Sequence, residues 1–150
     1  MISTATKIAP HADSLIEILA AQCSDLEALL LLARRETAAA EARDFDEIMR
    51  VVEERATLGE RLEIYHRQIA EMRGRMEKAF DAVARSDDAL HAASLVASIH
   101  AQDARTRPLL LAVRCGLEVE QASLNQFQRG AGAYLPDKRF QTPIACDHRV

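Results

Sequence analysis

The sequence predicts an all-α protein: a long antiparallel coiled-coil helical hairpin, a third, proline-kinked helix packed on it, and a flexible C-terminal tail. Three observations lead there. Only five Gly and four Pro interrupt 150 residues, so long stretches run without the punctuation that strands and turns need. Hydrophobic residues make up 49% of the chain but aromatics only 4%, with no Trp, so Ala and Leu must fill the core. That mixture suits close-packed helices better than a sheet sandwich, whose strands favour β-branched and aromatic side chains. Apolar residues also recur in steps of three and four along most of the chain, the spacing of one helix face.

The first helix is expected from near Asp13 to Ala42, with Leu15, Leu19, Leu26, Leu30, Ala33 and Ala40 on its face. A second begins at Asp44, where Asp44-Phe45-Asp46-Glu47 sets an N-cap oxygen three residues before a glutamate and puts negative charge on the positive end of the helix dipole. Its apolar face is Ile48, Val51, Leu58, Leu62, Tyr65, Ile69, Met72, Met76, Ala79 and Val83, and only Arg55 breaks it. About five heptads of this pattern mark a helix roughly 60 Å long that lies along another helix. The link around Arg43 is so short that the two helices must run antiparallel. Gly59 and Gly74 each weaken the second helix by about 1 kcal/mol without ending it.

Ser86-Asp87-Asp88 reads as the N-cap of a third helix. Leu90, Ala93, Val96 and Ile99 open its apolar face, Pro108 should kink or split it near Arg107, and Leu110, Val113, Leu117, Leu124 and Phe127 resume the face. Gly130-Ala131-Gly132 should stop it, giving one helical domain over residues 1–129 and a mobile tail over residues 130–150 that holds Pro136 and Pro143.

Charge and chemistry exclude several functions. The formal net charge is −4, from 23 acidic and 19 basic residues spread along the chain, so no basic stripe tracks nucleic acid. No segment has the roughly 18 apolar residues needed to span a bilayer, and residues 1–10 lack a signal-peptide core, so a soluble, cytoplasmic chain is expected. Leu29 to Leu32 could be a membrane-seeking patch, but Arg34, Arg35 and Glu36 follow at once, and a buried hairpin position or partner contact accounts for it better. Cys23, Cys115 and Cys146 have neither disulfide-framework nor zinc spacing, and two of them are expected to act as small core hydrophobes. Glu63 and His66, three apart on a helix, could share a metal as in di-iron bundles, and Asp88 with His91 is a weaker echo. Glu27 and Glu36 are not aimed to complete such a site, and His66 reads as a solvated flank of the seam. With no phosphate loop, nucleophile elbow or HExxH motif, neither an enzyme nor a cofactor is expected.

The apolar surplus on the third helix carries most of the functional weight. Leu109, Leu110, Leu111, Val113, Leu117, Val119, Leu124 and Phe127 cover more than one narrow seam. They could cap the hairpin and complete a three-helix core, or leave a face open for an amphipathic helix of another protein. Tyr134 and Phe140, in a stretch bounded by Gly and Pro, could anchor a partner or fold back on the bundle.

Ala42-Arg43-Asp44-Phe45-Asp46-Glu47-Ile48, followed by Glu54-Arg55 and Leu58, resembles the turn and the Glu-Arg/Lys-x-x-Leu run of flagellar type III export chaperones of the FlgN/FliT type. Leu26 to Glu41 is similar to the leucine-rich first helix of that family, and helix order agrees from about Leu15 to Tyr134. The resemblance implies a cytoplasmic chaperone that binds the C-terminal helical segment of hook-filament junction or filament-cap proteins and delivers them to the membrane export gate. By position, Leu110, Val113, Leu117, Leu124 and Phe127 would hold that segment. Tyr134 lies where the family has a tail tyrosine used in docking to the gate, although that tyrosine is usually followed by glycine and here Leu135 and Pro136 follow. The alternative is a homo-oligomeric coiled-coil structural or adaptor protein, in which a second copy of the chain, as a homodimer or larger assembly, covers the surplus.

Overall fold

The computed structural model describes the backbone of residues 9–134 and the side chains of residues 14–132, apart from those of residues 77 and 79. Among these residues the chain forms α1 (Ala9–Ala42), α2 (Phe45–Arg75), α3 (Glu77–Val83) and α4 (Asp87–Tyr134), with no strand. The protein is therefore all-α. None of these helices is long and apolar enough to cross a membrane. The chain divides into two compact units, Met1–Leu111 and Ala112–Val150.

Two adjacent residues build the turn between α1 and α2. Arg43 takes a left-handed φ of 54°, its N–H donates to the Ala40 carbonyl at 3.2 Å, and the Asp44 N–H donates to the Ala39 carbonyl at 2.9 Å. This pair of bonds is a Schellman motif, which satisfies the last carbonyls of α1. Asp44 then caps α2, its carboxylate accepting the Glu47 N–H at 3.1 Å. The capping box is only half made, because the Asp44 N–H is already committed to α1 and the Glu47 carboxylate turns to Arg35 and Arg50.

Ion pairs fix the direction of the helices in the first unit. Arg61 meets Asp25, Arg55 meets Glu36 and Arg35 meets Glu54, so α2 runs antiparallel to α1. On α4, Asp88 lies against Cys23, His91 against Glu27 and Arg105 against Glu41, so its first half runs parallel to α1. Cys23, Leu26, Ala92, Leu95 and Ile99 pack together with Leu62 at their edge, and Leu32, Val51 and Leu58 form a second cluster. Each buried leucine here contributes about 1.5–3 kcal/mol relative to an exposed one.

Several details depart from the sequence expectations. The second helix breaks at Met76, which leaves helical geometry at φ −134° and ψ 39°. α3 resumes without a side-chain cap, its Phe80 N–H donating to the Met76 carbonyl at 2.7 Å, while the Arg73 guanidinium sits 5.7 Å from the Phe80 ring. α4 does not split at Pro108. The missing N–H there frees the carbonyl of Ala104, an exposed residue, to bind water. α4 also runs through Gly130 and Gly132 to Tyr134, because glycine permits the positive φ of a helix stop without requiring it, and neither glycine adopts one. The N-cap expected at Ser86 is present, with the Ala89 N–H 3.4 Å from its hydroxyl and Asp87 and Asp88 in the first turn. Phe140, Cys146 and residues 135–150 of the expected tail lie outside the described residues.

Candidate partner-binding surface

From Ile99 onward α4 keeps a continuous series of three- and four-residue steps: Ile99, Asp103, Thr106, Leu110, Val113, Leu117, Glu120, Leu124 and Phe127. In the first unit its polar members each have a designated answer. Asp103 accepts two hydrogen bonds from the Arg55 guanidinium, at 2.9 and 2.8 Å, and the same guanidinium also binds Glu36. Thr106 is 2% exposed and its hydroxyl lies 2.6 Å from that of Thr37, which also receives the Gln102 amide. Arg55, the break in the α2 seam, is thus the residue that ties three helices together. Its carboxylate hydrogen bonds push its pKa up, Asp103 being the largest cause, so it stays charged at any ordinary pH. No buried side-chain nitrogen or oxygen among the described residues lacks a partner.

The second unit, among described residues, is the single helical stretch 112–134 of α4, and one helix cannot bury its own apolar face. Leu110 and Val113 are half-buried, while Leu117, Leu124 and Phe127 are exposed at 44, 56 and 75%. The side chain of Tyr134 lies outside the described residues. Leu111 and Val119 are exposed as well and widen the apolar face beyond the series. The polar flank is satisfied within the helix itself: Arg114 pairs with Glu118 at 3.0 Å and Gln121 with Asn125 at 3.2 Å. Glu120 interrupts the apolar series, is exposed, and has no ion-pair partner among the described residues. A smaller exposed apolar stripe, Phe45, Met49 and Val52, lies at the start of α2.

The candidates for chemistry do not converge. Glu63 and His66 are exposed, and among the described residues no three His, Cys, Asp or Glu side chains are grouped to hold a metal. His91 instead meets Glu27 at 3.0 Å on an exposed surface. Cys23 is a core thiol that donates to the Asp88 carbonyl at 3.2 Å. Burial, and then the negative charges of Asp88 and Glu27, push its pKa up and leave it a poor nucleophile. Cys115 is exposed, so of the two described cysteines only Cys23 is a core residue.

The sequence singled out the exposed series by its spacing but passed over Glu120, whose signal was available: an acid inside an apolar repeat. No family model matches the chain, and neither a curated protein nor a solved structure similar to it is found.

Proposed function

We propose that the chain is a non-enzymatic export chaperone of the FlgN/FliT type, which needs no cofactor and acts in the cytoplasm. Its client is the C-terminal amphipathic segment of a late flagellar subunit, a hook-filament junction or filament-cap protein. In this reading the hairpin is a coiled-coil frame, Pro108 bends α4 ahead of the working surface, and Leu110, Val113, Leu117, Leu124 and Phe127 hold the client. Tyr134 and the residues after it would contact the export gate.

The observation that carries the reading is the exposure of Leu117, Leu124 and Phe127 at helix-face spacing in a stretch that, among the described residues, is the one helix of its unit. Burying each of them under a client helix is worth about 1.5–3 kcal/mol before ordering costs. A disordered amphipathic segment that folds on binding draws on burial of this kind, and its ordering cost keeps the complex reversible. The family resemblance at Asp44 to Leu58 supplies the identity of the client class.

Pull-down of hook-filament junction and cap proteins with the full chain, before and after Leu117→Asp, tests the reading. Retention should fall at least tenfold in the variant. Equal retention by both forms would remove the surface from α4. Sedimentation at micromolar concentration addresses the alternative, since a stable oligomer without client affinity would assign the same face to a structural coiled coil.

A further inference from the structure

In the first unit, polar residues that enter a helix seam are met from another helix. Arg55 answers Asp103 with two hydrogen bonds, and Thr37 answers Thr106. Glu120 continues the same three- and four-residue series of α4, between Leu117 and Leu124, and no cation meets it among the described residues. A helix laid on this stretch would cover Glu120 along with its apolar neighbours. Covering an unpaired carboxylate is costly, whereas a guanidinium or ammonium opposite it offsets much of that cost.

We infer that the helix which docks on Leu117, Leu124 and Phe127 carries an Arg or Lys inside its own apolar face, set opposite Glu120, and that this pair fixes its register. The inference rests on the docking surface proposed above and names the chemistry of its occupant. A second copy of the chain is a poor match. Its exposed series offers two leucines, a phenylalanine and the same glutamate, while Arg114 lies off the series and is paired with Glu118 at 3.0 Å. A parallel pairing would set Glu120 against Glu120. The chain's own residues after Tyr134 contain Pro136 and Pro143, so they offer no proline-free stretch long enough to lie along the series.

The probes are three synthetic amphipathic peptides of about 21 residues, long enough for roughly three heptads. They are alike except for Arg, Leu or Glu at one central seam position. Their binding to the full chain is read by fluorescence anisotropy at two salt concentrations, with wild type, Glu120→Leu and Leu117→Asp compared. Wild type should hold the Arg peptide at least tenfold more tightly than the Leu peptide, and Glu120→Leu should invert that order. A wild-type preference for the Leu peptide overturns the inference. So does an Arg preference that survives Glu120→Leu, which would reflect only the net negative charge. In either case loss of binding in Leu117→Asp would leave the docking surface standing. If no peptide binds, or Leu117→Asp binds them all as well as wild type, the docking surface itself falls, and the inference with it. A dimer of the free chain that Leu117→Asp dissociates would assign the face to a second copy and also overturn the inference.

Discussion

The first half of α4 and its second half carry the same spacing of apolar residues, yet among the described residues it is the first half whose face is buried and answered by other helices. Ala92, Leu95, Ile99 and Thr106 are buried, and Asp103 and Thr106 have partners on α2 and α1. Leu117, Glu120, Leu124 and Phe127 continue the pattern and are exposed. Periodicity marks a face that a helix can offer. Whether it is covered depends on how many other helices the unit supplies, and residues 112–134 are the only described helical stretch of theirs.

The comparison breaks most visibly under truncation of one apolar residue from each half. Leu95→Ala, in the buried cluster, should cost about 2–5 kcal/mol in urea unfolding, while Phe127→Ala should stay within about 0.5 kcal/mol. Comparable losses for both would mean that Phe127 is covered in the free chain. Next in size is the polar tie. Arg55→Leu leaves Glu36, 5% exposed, without its cation, and should cost about 2–4 kcal/mol. Replacing Glu36, Arg55 and Asp103 together by apolar residues of similar volume should recover most of that loss, because the charges contribute register more than net stability. A triple variant as unstable as the single one would show the network to be strongly stabilising in itself.

A smaller gain is expected at the turn between α1 and α2. Arg43 holds a backbone conformation that an L side chain adopts at a cost of about 1 kcal/mol, so Arg43→Gly should raise stability by roughly 0.5–1 kcal/mol. No gain, or a loss, would point to a role of the Arg43 side chain itself. The least effect belongs to Cys23. Its folded-state pKa lies above the ordinary 9.0, so the stability it confers is complete below that value and is lost as pH rises through the folded value. Cys23→Ala should therefore flatten the alkaline limb of the stability profile. An unchanged limb would place its origin at other groups.

The all-α class and the start of α2 were legible because their signals are local: Asp44 caps α2, and the buried residues Ile48, Val51 and Leu58 follow at helix-face spacing. Arg55 was legible as an exception but not as a tie, since its partners Glu36 and Asp103 are 19 and 48 residues away and only packing brings them together. The break at Met76 has no proline and no capping side chain to announce it. Gly130 and Gly132 misled in the opposite direction, because a residue that allows a helix to stop is not one that makes it stop. For the surface, spacing gave the residues of the face, and only the three-dimensional arrangement separated the covered members from the exposed ones.

Amide hydrogen exchange along α4 tests the central claim most directly. In the free chain at low micromolar concentration, amides around Leu95 to Thr106 should be protected to near the global unfolding free energy, and those of residues 112–134 should exchange close to unprotected rates, gaining protection when a client segment binds. Uniformly strong protection from Leu95 to Phe127 in the free monomer would mean the second half of α4 is already covered, and would contradict the account.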